Sequence, residues 1–205
     1  MQSESRLSPA ALQAILSAHR EALKGRGTVL RRSRHGAVTR VDFDGESLCV
    51  KQYGDTGSRR RLKDLIRRPR AERAWRAARR LRDLGLATPE ALALVEDGGA
   101  RYLVMRFLPD GLPLDRLLQE RLVGGSSSEG RAARRRMLRD LGRWLRGIHD
   151  AGVYHDDWSA KNILAAERDG CWSFFLLDLE SVVPHKGLNR RRRMKNLGQI
   201  CDAPA

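Results

Sequence analysis

The chain has 205 residues with 41% hydrophobic side chains, 40 Lys+Arg against 25 Asp+Glu, and a formal net charge of +15. That length and apolar content suffice to bury roughly 70% of the unfolded surface and exclude a disordered polyelectrolyte, and no apolar run approaches the ~18 residues of a membrane span. Three cysteines, Cys49, Cys171 and Cys201, are odd in number and without C-x-x-C spacing, which argues against a disulfide framework or a zinc site.

The segment Met1 to Gly25 reads as an amphipathic helix. Ser8-Pro9 marks its start, Leu12, Ile15, Leu16 and Leu23 its apolar stripe, and Gly25 its stop. It lacks the basic, apolar and small-residue order of a signal peptide, so a cytosolic protein is expected. From Thr28 the pattern shortens to alternating runs, Thr28-Arg32, Ala37-Phe43 and Ser47-Tyr53, the last two joined by Asp44-Gly45, a tight hairpin signal. Pro69 opens a second helix with the stripe Ala71, Ala74, Trp75, Ala78 and Leu81, ending at Gly85; its other face is almost all Arg. Leu92-Val95 and Tyr102-Leu108 flank Asp97-Gly98-Gly99 as another hairpin. Gly124 to Gly130 reads as a loop, Ala133, Met137, Leu141, Leu145 and Ile148 as a long helix ending near Gly152, and Ile163-Ala165 and Trp172-Leu179 as a last hairpin through Arg168-Asp169-Gly170. The order predicts an α+β protein with two lobes.

The informative segment is Tyr154-His155-Asp156-Asp157-Trp158-Ser159-Ala160-Lys161-Asn162-Ile163-Leu164, which contains H-x-D-x-x-x-x-N between a long helix and an apolar hairpin. Phosphoryl transfer from a nucleotide requires a carboxylate to orient the acceptor hydroxyl, oxygen ligands for Mg²⁺ and a cation on the donor phosphates. Asp157 is the candidate base, Asn162 a neutral oxygen ligand, and Asp178, ending the apolar run Phe174-Leu177, the metal carboxylate. Lys51, in Leu48-Cys49-Val50-Lys51-Gln52-Tyr53, suits the α/β-phosphates, and Glu72 is placed to pair with it or with Arg68 or Arg76. Lys161 either contacts the γ-phosphate or faces solvent, and Gly36 fits the tip of a phosphate-covering hairpin.

With these residues in order, the chain resembles the protein-kinase-like superfamily and, more closely, the bacterial lipopolysaccharide core sugar kinases, the Kdo and heptose kinases. The resemblance runs from about Thr28 to Gln199. It rests on Val50-Lys51, Glu72, the hinge-like Tyr102-Leu103-Val104-Met105-Arg106-Phe107-Leu108, the His155 to Leu164 segment, Leu177-Asp178-Leu179-Glu180 and the basic tail Arg190-Arg191-Arg192-Arg193-Met194-Lys195-Asn196-Leu197. It implies a two-lobe protein-kinase-like fold with a minimal C-terminal lobe: an N-terminal helix over residues 1–27, a nucleotide-binding lobe over 28–107, and a C-terminal lobe over 108–205 with the catalytic loop, metal site and basic tail. It implies ATP and Mg²⁺, Lys51, Glu72, Gly36 and Met105 toward the nucleotide, Asn162 and Asp178 toward the metal, and Asp157, Lys51 and Lys161 in catalysis, with His155 bracing the loop.

The departures are equally specific. One glycine replaces a G-x-G-x-x-G series; Asp156 stands where regulated protein kinases carry the arginine that reads activation-loop phosphorylation; Ser159 stands where Ser/Thr protein kinases carry lysine; and Leu179-Glu180 follows Asp178 instead of Phe-Gly, with no A-P-E beyond. The stretch after it is short for a peptide-docking platform. The expected activity is therefore ATP-dependent phosphorylation of a sugar hydroxyl on lipopolysaccharide core or a related anionic glycolipid, at the cytoplasmic membrane surface as a peripheral protein. Arg59 to Arg61, the Arg face of the Pro69 helix, Arg131 to Arg146 and Arg190 to Arg193 would meet that substrate, although part of the 34-Arg, 6-Lys bias can reflect genome composition. Alternatives are a small unregulated Ser/Thr protein kinase or small-molecule phosphotransferase and, in another class, a pseudokinase or basic nucleic-acid-binding module. Against nucleic acid stands the 5% aromatic content, not interleaved with the Arg runs.

Overall fold

The computed structural model describes residues 2–33, 36–54, 68–123 and 128–201. Arg34, His35 and the Arg59 to Arg61 cluster lie outside the described residues. The chain divides into two compact units, Met1–Arg79 with Pro89–Pro109, and Arg80–Thr88 with Asp110–Ala205.

In the first unit Ser8 caps helix α1 (Pro9–Leu23), accepting a hydrogen bond from the Ala11 amide at 3.2 Å, while Pro9 occupies the first turn, where its missing N–H costs nothing. The helix does not reach back to the start of the chain as the amphipathic pattern implied. Gln2–Ser5 is strand β1, pairing antiparallel with β5, because sheet hydrogen bonding at an edge outweighs weak local helix propensity. The six-stranded antiparallel sheet runs β1-β5-β6-β4-β3-β2, comprising β2 (Thr28–Ser33), β3 (Gly36–Phe43), β4 (Glu46–Tyr53), β5 (Ala91–Asp97) and β6 (Ala100–Arg106). Asp44 (φ 51°) and Gly45 (φ 74°) make the tight β3–β4 turn that the sequence predicts. One sheet face is sealed by α1, whose Leu12, Ile15 and Leu16 are at most 1% exposed against Val41, Leu48, Val50, Val95 and Val104. Each such side chain contributes on the order of 1.5–3 kcal/mol of apolar burial. Helix α2 (Arg70–Asp83) buries the predicted stripe Ala71, Ala74, Trp75, Ala78 and Leu81.

One polar cluster sits within this apolar seam. The fully buried His19 imidazole donates from Nε2 to Gln52 Oε1 (3.1 Å) and pairs through Nδ1 with the Thr39 hydroxyl (2.7 Å). Burial lowers its pKa; the Gln52 bond opposes this and Arg20 adds to it. His149 in the second unit is also lowered, first by burial and then by Arg193, against the opposing Asn196 and Asp150. Both imidazoles fold neutral, so below the ordinary imidazole pKa of about 6.5 the unfolded chain binds more protons than the folded one. Stability is therefore present above about pH 6.5 and falls as pH drops, by up to about 1.4 kcal/mol per pH unit for each proton taken up. Urea unfolding between pH 7.5 and 5 is expected to show this slope, and His19→Gln to reduce it.

The second unit holds helix α3 (Leu114–Val123), helix α4 (Ser128–Asp150), helix α5 (Arg190–Cys201), a three-stranded sheet and a two-stranded one. The first sheet is β10 (Cys171–Leu176), β9 (Ile163–Arg168) and β7 (Leu112–Pro113); the second pairs β8 (Val153–His155) with β11 (Val182–Pro184). Several features depart from the sequence reading. Residues 128–130 begin α4 instead of closing a loop; β7 and α3 were not expected; β10 stops at Leu176, where Leu179–Ser181 turns into a short 3-10 helix; and the basic tail is helical. That last helix starts at Asn189, whose Oδ1 accepts from the Arg192 amide at 3.0 Å. Gly152 (φ +72°) ends α4 where the chain passes so close to His185 that a Cβ would lie 2.3 Å from its carbonyl oxygen. Among the described residues no helix is long and apolar enough to cross a membrane.

Candidate active site

The first unit places three of its four candidate residues, Gly36, Lys51 and Met105, on one sheet face. The register sets Gly36 opposite Tyr53, Val38 opposite Lys51, Lys51 opposite Leu103 and Cys49 opposite Met105, so all of these side chains share the face turned away from α1. Val38, Cys49 and Lys51 are only half-buried there, whereas Ala37, Thr39 and Val50 on the other face are buried. The Lys51 ammonium stands 5.1 Å from the Tyr53 ring centroid, a cation–π distance. Burial pushes the neighbouring Cys49 thiol up to about 11, with Lys51 opposing, so the thiol stays protonated. Gly36 has φ +147°, and a Cβ on it would lie 2.0 Å from the Gln52 carbonyl oxygen, so only glycine fits the close approach of β3 to β4. Glu72 is half-buried in the first turn of α2.

The second unit assembles the other candidates around the loop after β8. Asp157 is exposed. Asn162, 4% exposed, donates its amide hydrogens to the Asp157 backbone carbonyl (3.0 Å) and to Asp157 Oδ2 (3.2 Å). This fixes one carboxylate oxygen. It also spends the Asn162 nitrogen, so its oxygen is the atom left to meet a cation. The β9–β10 hairpin then brings Asp178 alongside, because the Leu177 amide donates to the Asn162 carbonyl at 2.8 Å. Asp178 sits in the left-handed region (φ 53°, ψ 47°), which Asp tolerates better than most residues and which breaks the strand at that point. Lys161 is exposed in the 3-10 turn Ala160–Asn162.

His155 braces this arrangement. Fully buried, it donates from Nε2 to the carbonyls of Leu177 (3.2 Å) and Asp178 (3.1 Å), holding the turn after β10 against the loop after β8. Trp158, 1% exposed, fills the space behind the loop with ring contacts to Trp144, His149 and His155. Two residues given no role by the sequence reading, Asn196 and Gln199 of α5, also reach the loop backbone. A signal for them was present: a cap at Asn189 followed by Met194, Leu197 and Ile200 marks a helix, with Asn196 and Ile200 buried together at i, i+4.

Among the described residues no cluster of three or more His, Cys, Asp or Glu could hold a metal. A site of one carboxylate and one amide oxygen instead suits a hard cation such as Mg²⁺, which keeps several waters and takes further oxygens from substrate phosphates. Asn162 and Asp178 fit that description.

The family model described as "Lipopolysaccharide kinase (Kdo/WaaP) family" matches residues 18–202. A solved structure of "WaaP in complex with acyl carrier protein" is similar over 98% of this chain and 80% of that one, with 21% sequence identity and a TM-score of 0.65, a likeness of fold. The chain is also 32% identical over 134 residues to a protein of Haloarcula marismortui described as a probable bifunctional tRNA threonylcarbamoyladenosine biosynthesis protein; the match covers 65% of this chain and 21% of that relative's length.

Proposed function

The chain belongs to the lipopolysaccharide kinase (Kdo/WaaP) family, and from that premise we propose that it transfers the γ-phosphate of ATP to a sugar hydroxyl of lipopolysaccharide core or a related anionic glycolipid, as a peripheral protein at the cytoplasmic face of the membrane. The observation that carries this reading is the Asn162 amide held on both the carbonyl and the carboxylate of Asp157 while its chain neighbour across the hairpin leads into Asp178.

In this reading the first unit binds nucleotide. Lys51 neutralises the α/β-phosphates, Gly36 lets the β2–β3 hairpin approach them, and Met105 packs against the base. In the second unit Asp157 orients the acceptor hydroxyl and receives its proton as the oxygen attacks the γ-phosphorus; the bond from that phosphorus to the bridging oxygen breaks, and ADP leaves. Asn162 and Asp178 would hold Mg²⁺, whose chemistry is to neutralise charge on the phosphate oxygens. Lys161 is assigned to the γ-phosphate and Glu72 to support of Lys51 once nucleotide is present.

The basic tail divides between two tasks. Arg193 turns inward to Asp150 (2.7 Å) and the Leu188 carbonyl (3.1 Å), whereas Arg190, Arg191 and Lys195 are exposed beside Met194 (57% exposed) and Leu197 (37%). A basic, partly apolar outer side of this kind suits an anionic lipid surface. Exchanging Arg190, Arg191 and Lys195 together for Gln is expected to weaken flotation with anionic vesicles roughly 100-fold, at about 1 kcal/mol per charge, with the affinity for ATP retained.

The deciding experiment incubates the chain with γ-labelled ATP and purified lipopolysaccharide core and weighs the product. A gain of one phosphate on the glycolipid is expected. Label on protein alone would transfer the reading to a small protein kinase, and salt-sensitive RNA binding without ATP turnover would overturn it.

A further inference from the structure

Helix α5 holds the two peptide groups that immediately precede Asp157. The fully buried Asn196 donates one amide hydrogen to the His155 carbonyl (2.8 Å) and the other to Gln199 Oε1 (3.0 Å). Gln199 in turn donates from Nε2 to the Asp156 carbonyl (2.8 Å). A backbone carbonyl can only accept, so both amide groups are fixed in orientation, and the Asn196–Gln199 bond locks each by the other. On the opposite side the Asp156 amide donates to the Ser181 carbonyl (3.0 Å), and the Ser181 amide donates to that of Asp178 (3.0 Å). The His155–Asp156 peptide is therefore held at both ends and the Asp156–Asp157 peptide at its oxygen. Rotation of either plane would swing the Asp157 Cα.

The helix itself is anchored independently of this contact. Asn189 caps it, Arg193 binds Asp150 and the Leu188 carbonyl, and Leu188 and Ile200 are buried. Packing alone would seat an apolar residue at 196 as readily as an amide. A fully buried amide whose two hydrogens both go to oxygens near one loop serves placement.

We propose that Asn196 and Gln199 are positioning residues for phosphoryl transfer, setting Asp157 through the carbonyls of His155 and Asp156. The inference rests on the role assigned above to Asp157 and adds two residues that never touch substrate. A displacement of about 1 Å at a reacting group costs on the order of 10²-fold in rate, so loosening two consecutive peptides lowers kcat while leaving nucleotide binding, which belongs to other residues, in place.

The test compares Gln199→Met, Asn196→Asp, Gln199→Lys and Asn189→Ala in the full chain, with γ-labelled ATP and lipopolysaccharide core, alongside thermal unfolding and backbone amide exchange read by mass spectrometry. Gln199→Met removes the donor in a half-buried position at similar size; it is expected to lower kcat about 10- to 100-fold with KM for ATP within about twofold, and to raise exchange over residues 156–158. Asn196→Asp turns a carboxylate toward a carbonyl and is expected to lose more. Gln199→Lys, which returns a donor to the Asp156 carbonyl, is expected to recover part of the rate. Asn189→Ala loosens the start of the helix without touching the loop, and is expected to lower Tm with little loss of kcat. Full activity in Gln199→Met and Asn196→Asp overturns the proposal and leaves the kinase reading standing. So does a loss of kcat that tracks Tm alike in all four variants. Absence of transfer by the wild-type chain to glycolipid and to protein overturns both.

Discussion

Asp157→Ala is expected to lower kcat for glycolipid phosphorylation by about 10²- to 10⁴-fold, the span associated with removing a positioned general base, with KM for ATP changing little. The carboxylate is exposed and, among the described residues, makes one side-chain hydrogen bond, from Asn162 at 3.2 Å. Its removal therefore opens no cavity and leaves no buried charge unpaired. The Asn162 amide keeps its 3.0 Å bond to the backbone carbonyl of residue 157, so the loop retains its shape. A fall in kcat at unchanged Tm, measured by single-turnover transfer of labelled phosphate, would mark the effect as chemical. Undiminished transfer would remove Asp157 from the mechanism.

Asp178→Asn is expected to be the other severe loss, about 10³-fold in kcat with a raised Mg²⁺ requirement, since charge neutralisation on transferring phosphate contributes several kcal/mol and each 1.36 kcal/mol is tenfold. The choice of Asn isolates the charge. Residue 178 occupies the left-handed region (φ 53°), which Asn tolerates about as well as Asp, and its backbone carbonyl still accepts from His155 and Ser181. Asp178→Ala removes the same charge but adds a backbone penalty of about 1–2 kcal/mol, so it is expected to lose stability as well. A magnesium titration of both variants with parallel melting curves separates the two costs. Equal Mg²⁺ dependence in wild type and Asp178→Asn would exclude the assigned role.

The family and the α+β architecture were legible in the sequence because the signals that carry them act over a few residues. Ser8-Pro9 caps a helix, Asp44-Gly45 and Gly98-Gly99 make turns with positive φ, and the Ala71 to Leu81 stripe repeats at helical spacing whatever it packs against. The short elements were not legible. Gln2–Ser5 becomes a strand only because β5 offers an edge, and Leu112–Pro113 only because β9 does. Leu179 reads as a continuation of an apolar strand until the left-handed Asp178 turns the chain. The arginines of the tail read as one block of charge, yet Arg193 binds Asp150 while Arg190 and Arg191 are exposed, a distinction set by which side of α5 each residue falls on.

The chain order of Lys51, Asp157, Asn162 and Asp178 could be read directly, and the five-residue spacing of Asp157 and Asn162 already keeps those two side chains close. How those groups are held follows from the fold. That His155 grips the carbonyls of 177 and 178, that Lys51 shares a face with Gly36 and Met105, and that Asn196 and Gln199 reach back some forty residues to His155 and Asp156 all depend on contacts between distant segments. Hydrogen bonds between such segments leave no local pattern, since a carbonyl of any residue type accepts them equally.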